Sequence, residues 1–117
     1  MLSAAEASAL LARTEDDLWE LVGDGLNSAF GATPMPKRHL IEAAKKWFDD
    51  NYQSLQGKIC PHPIVARLLS DETSDDVSIV VGIASIISDS LTGIVAAGVS
   101  VLIVRRGCRM FCADYEE

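Results

Sequence analysis

The sequence predicts an all-α domain, a compact bundle of about five helices built around a central apolar helical hairpin. Three observations carry that prediction. Apolar residues recur at three- and four-residue spacing along most of the chain, as on one face of a helix. Capping residues stand where those stretches begin. The 28-residue block Val77–Val104 carries a single charge, Asp89, with a serine on either side of it. At 117 residues and a net charge of −7, the chain has the size of one domain, 1–117, with enough residues to enclose a core.

Ser3-Ala4-Ala5-Glu6 fits a capping box and starts a short helix running to about Arg13. Thr14 is a second N-cap, and Glu15, Asp16 and Asp17 fall in the first turn, where negative charge favours the helix dipole. Leu18, Leu21, Val22, Leu26 and Ala29 form the apolar stripe of this second helix, with Trp19 and Phe30 widening it. Gly23 and Gly25 weaken its middle by about 1 kcal/mol each relative to Ala, and Gly31 suits its end.

Pro36 fits the first position of the next helix. Ile41, Ala44, Phe48, Tyr52 and Leu55 recur at helical spacing, and Gly57 is the expected stop. After the break Cys60-Pro61-His62-Pro63, residues Ile64, Val65, Leu68 and Leu69 suggest a helix of two to three turns started by Pro63. Thr73 or Ser74 then caps a helix over 76–88, and Ser88-Asp89-Ser90 separates it from a helix over 91–106. Arg105 and Arg106 lie in that last turn and Gly107 follows as a stop. Thirteen of the 28 residues in the apolar block are Val or Ile, a strand-favouring composition, but the caps and charges agree on helices.

A continuous helix over this block would be long enough to cross a bilayer, with the arginines on its cytoplasmic side. Splitting it at Asp89 leaves two pieces too short to span, and no aromatic residue occurs in 77–104 to form an interfacial belt. A buried hairpin wrapped by amphipathic helices accounts for both sets of residues at once. As an N-cap between the two halves, Asp89 is structural; buried elsewhere it needs a base such as Arg67, Arg105 or Lys58. The Gly, Ala and Ser content of the block predicts close helix packing.

The acidic balance excludes a general nucleic-acid binder. Met1–Glu6 lacks a basic stretch leading into an apolar one, so a secretory signal is not expected and the expected location is cytoplasmic. Cys60, His62, Cys108 and Cys112 are the only soft-ligand set, with a spacing unlike standard zinc motifs, and no metal or cofactor is expected. A disulfide from Cys60 to either later cysteine runs against the expected cytosol. No nucleophile, acid/base or phosphate-cradling pattern is present, and the pairs Asp16-Asp17, Asp49-Asp50 and Asp75-Asp76 point about 100° apart on a helix.

Lys37, Arg38, Lys45 and Lys46 form a modest basic face, diluted by Glu42, Asp49 and Asp50, and are the candidate partner-binding residues. Trp19, Trp47 and Phe48 are expected to fill the core or a helix interface. The function these features favour is a small non-catalytic protein-interaction or regulatory module, acting alone or as a homodimer and binding another protein. The alternative is a membrane-associated protein using 77–104 as a transmembrane or insertable hairpin.

Overall fold

Several helix starts are marked by a side chain that satisfies one of the first free N–H groups. In the computed structural model, which describes residues 2–29, 35–70, 75–91 and 93–113, all regular structure is helical. Ser3 opens α1 (Ala4–Leu11) with both arms of the capping box: its hydroxyl accepts from Glu6 N at 3.1 Å, and the Glu6 carboxylate accepts from Ser3 N at 3.3 Å. The Thr14 hydroxyl accepts from Asp17 N at 3.1 Å and opens α2 (Glu15–Ala29). Gly31 and Phe30 lie outside the described residues.

Pro36 stands just before α3 (Lys37–Ile59) with ψ 150°, so it is the cap rather than the first helical residue. This helix runs through Gly57 instead of stopping there. Gly57 keeps a negative φ, and the next turn brings Ile59 into the core with no exposed surface. Pro63 begins α4 (Pro63–Ser70). The cap of α5 (Asp76–Ile87) is Asp75, whose carboxylate accepts from Ser78 N at 2.8 Å; Thr73 and Ser74 lie outside the described residues. Ser88–Ser90 forms a turn, and α6 spans Gly93–Arg106. Gly107 ends α6 with φ 98°, a conformation that favours glycine, and leads into the short helix α7 (Cys108–Cys112).

Seven helices therefore stand among the described residues where about five were expected. The excess lies in short pieces such as α7, whose five residues carry too little periodicity to read.

The core is organised around α6. Every residue from Val95 to Ile103 is buried, and the Ser100 hydroxyl is satisfied inside the helix by donating to the Ala96 carbonyl at 2.7 Å. Against it pack Leu18, Trp19 and Val22 of α2 and the stripe Val80, Ile83, Ala84 and Ile87 of α5. The predicted hairpin is thus present, with one correction: only α6 is enclosed on all sides. The remaining face of α5 keeps Val77, Ile79, Val81 and Ile86 partly exposed.

Small residues set the closest approaches. A Cβ at Gly98 would come within 2.7 Å of the Val22 side chain, and one at Gly23 would overlap the Leu40 carbonyl where α2 crosses α3. The glycine that costs α2 helix propensity is therefore what lets α3 dock. Gly57 has open space around its Cβ position.

Two predictions separate these roles. Gly57→Ala raises stability by about 0.5–1 kcal/mol, whereas Gly23→Ala lowers it by about 1–3 kcal/mol, both read from urea unfolding midpoints. The Ser78 N–H holds the Asp75 carboxyl below its ordinary value, so its stabilising contribution is present above the ordinary carboxylate range and is lost as pH falls through the lowered value. Asp75→Asn keeps the cap and is therefore expected to flatten the acid limb of the stability–pH curve while matching the parent at neutral pH.

Candidate functional site

The α1, α2, α5 and α6 helices surround an open groove of about 810 Å³, within the range of about 300–1,000 Å³ typical of binding pockets. Its walls are aliphatic: Leu10 from α1, Leu21 from α2, Val81 and Ala84 from α5, and Ile94 and Ala97 from α6, with Leu2 at one end. The space exists because Ala9, Ala84, Gly93, Ala96 and Ala97 stand where longer side chains would fill it. Glu6 and Arg13 bring charge to its α1 edge. Ser85 and Ser88 line the other edge, but their hydroxyls donate to the Gly82 and Ser85 carbonyls at 2.8 and 3.0 Å, which leaves that edge only weakly polar. Ile94, among the few large aliphatic side chains that are substantially exposed, stands 48% exposed at the groove.

The predicted basic face is largely neutralised within the fold. Lys37 reaches across to α2, 3.5 Å from Asp17 and 3.6 Å from Glu20, so it ties two helices together. Arg38 pairs with Glu42 at 3.5 Å and Lys46 with Asp50 at 2.8 Å, both one turn along α3. The Asp50 carboxylate also holds the Lys46 ammonium above its ordinary pKa. Lys45 is exposed. The acids that dilute the face in sequence include its partners in space.

Cysteine chemistry departs from expectation. Cys60, at the end of α3, is bonded to Cys112 of α7 (Cα–Cα 5.7 Å), a disulfide that the expected reducing cytosol disfavoured. The sequence held no signal to choose it, because the two segments meet only when α6 brings the chain back to α3. Cys108 is free and buried, and burial pushes its thiol pKa up. Phe111, one residue before Cys112, packs on Tyr52 and Phe48 with ring centroids 4.8 and 6.4 Å away. Its carbonyl accepts from Gln56 Nε2 at 2.8 Å and from the Tyr52 hydroxyl at 3.4 Å.

The energetics of this C-terminal segment are finely poised. Ordering the backbone of 107–113 costs about 1–2 kcal/mol per residue. Burying Phe111 returns about 2–3 kcal/mol, and each hydrogen bond about 0.5–1.5 kcal/mol. The cross-link closes 52 residues of chain, worth about 4 kcal/mol against global unfolding in the chain-entropy account; against local undocking it acts as a covalent tether between α3 and α7.

The aromatic expectation holds for Trp19 and Phe48, which are buried edge to face with centroids 5.5 Å apart, and Trp47 is half-buried. Sequence reasoning missed the role of Arg106, whose guanidinium lies 5.6 Å from the Trp19 ring centroid and 5.3 Å from that of Phe48. Arg105 donates to the Arg13 carbonyl. Asp89 is not the cap of α6, which starts four residues later; it is exposed in the turn.

Asp89 lines a second, smaller cleft of about 450 Å³ with Lys58, His62, Ser85 and Ser90. There Lys58 Nζ donates to the Ser90 hydroxyl at 2.7 Å. Among the described residues no three His, Cys, Asp or Glu side chains converge as a metal would require, and no helix is long and apolar enough to cross a membrane.

The cysteine assignment predicts a thiol count in three states. A thiol reagent titrates essentially none in the folded protein, one after denaturation without reductant, and all three after denaturation with reductant. Three thiols in the second state would refute the bond. Comparison with protein-family models, with curated proteins and with solved structures gave no match.

Proposed function

We propose that this chain is a non-catalytic protein-binding module whose groove between α1, α2, α5 and α6 takes the apolar face of a partner helix. The groove carries the reading: aliphatic side chains from four helices line an open trough, with charge only at one edge. A trough between helices suits side chains presented at i, i+3, i+4 and i+7. The net charge of −7 favours partners whose polar face is basic. The original basic face of Lys37, Arg38, Lys45 and Lys46 is a weaker candidate, since three of the four already face acids. Membrane association gains little support from α5 and α6, whose 12 and 14 residues fall short of the roughly 20 that a span needs.

A cytoplasmic location, expected from the sequence, fits the disulfide only if that bond is of the transient, redox-responsive kind. An oxidising compartment would accommodate it as a permanent staple.

A photo-crosslinking residue at position 94, inside the groove, tests the reading in the cell that makes the protein. The expected outcome is a covalent adduct with one discrete protein, abolished by Val81→Glu, and no such adduct from a crosslinker at Met110, which is 76% exposed on α7. Adducts with lipid or small metabolites alone, with a second copy of the chain alone, or none at all overturn it.

A further inference from the structure

We propose that the Cys60–Cys112 disulfide is a redox-operated latch: two-electron reduction by a dithiol frees residues 107–113 from α3 while the rest of the fold stays intact. This does not rest on the groove reading, because the latch and the groove involve different residues.

The segment is built to be separable. Helix α7 has five residues, far fewer than the roughly 12–15 an isolated helix needs. It joins α6 through Gly107, whose φ of 98° marks a sharp change of direction at a residue with wide backbone freedom. Two of its side chains, Cys108 and Phe111, are buried, and Met110 is the most exposed large apolar side chain described. Besides the disulfide, the segment is held by Cys108 buried in the core, by Phe111 on the aromatic face of α3, by the Gln56 and Tyr52 bonds to its carbonyl, and by Arg109 donating to the Leu69 carbonyl. Most of the packing on α6 comes from α2 and α5, and the segment adds only Cys108 and Phe111 to the core. Both bonded cysteines are half-buried, whereas Cys108 is nearly covered.

The exchange balances as follows. A thiolate of the dithiol attacks one sulfur of the bond, forming a mixed disulfide and expelling the other cysteine as a thiolate, which takes up a proton. The second thiol of the reductant, deprotonated, attacks the mixed disulfide, closes the reductant's own disulfide and expels the remaining cysteine, which is protonated in turn. Two electrons pass from the dithiol, and Cys60 and Cys112 end as thiols. Phe111 then leaves Tyr52 and Phe48, uncovering an aromatic face on α3 in the reduced state only.

Dithiothreitol at neutral pH, followed by alkylation with iodoacetamide and by hydrogen exchange, tests this on the full chain. Cys108 is the reporter. Reduction is expected to speed its alkylation and the exchange of the Phe111 amide by about 100-fold, with α6 amides keeping their protection. If Cys108 stays slow although Cys60 and Cys112 are both shown to be reduced, the segment remains docked and the proposal fails. If α6 loses protection together with it, the bond is a staple of the whole fold, and the proposal fails equally. In the oxidised Phe111→Ala variant, Cys108 should alkylate more slowly than in the reduced parent; labelling as fast as in the reduced parent means that ring packing, not the bond, holds the segment.

Discussion

The enclosure of α6 is the constraint on which everything else depends. Val95, Val99, Val101, Leu102 and Ile103 have essentially no exposed surface, and each fully buried aliphatic contributes about 1.5–3 kcal/mol. Their combined gross contribution is comparable to the net stability of a whole domain, about 5–15 kcal/mol. A helix apolar on every side has to be wrapped on every side, and the amphipathic helices are arranged to do so. The close approaches at Gly23 and Gly98 follow from the same demand, since wrapping one thin helix with several others brings backbones together.

Outside that centre the attachments are lighter and more polar. Lys37 bridges α3 to Asp17 and Glu20 of α2, Arg106 covers the Trp19–Phe48 pair, and Arg105 closes onto the end of α1. The C-terminal segment is an extreme case, a five-residue helix fixed by the buried Cys108 and Phe111, two bonds to the Phe111 carbonyl, the Arg109 bond to Leu69 and a disulfide. The groove has a related origin: wrapping α6 with short α1 leaves alanines and a glycine facing a space that nothing in the described residues fills.

What was legible in the sequence was local. The Ser3–Glu6 box, the Thr14 cap and the Gly107 stop each depend on residues within one turn, and each is where the spacing put it. The split of the apolar block at Ser88–Ser90 was legible for the same reason. Less legible was anything set by a partner distant in sequence. Gly23 read as a weakness of α2 because the Leu40 backbone that needs its space lies on another helix. Asp89 looked like a cap, but the helix start is at Gly93 and the side chain faces water. Cys60 and Cys112 are 52 residues apart, and no spacing rule selects Cys112 over Cys108. The groove is invisible in sequence because it consists of what short side chains leave empty between four helices.

Native-state hydrogen exchange of the oxidised protein, with and without lipid vesicles, tests the central claim that α6 is the permanent centre of the fold. Amides of 95–103 are expected to be the slowest in the molecule, to exchange only through global unfolding, and to be indifferent to vesicles. Exchange of these amides as fast as those of α1 or α4, or a change in their protection on adding vesicles, would contradict it.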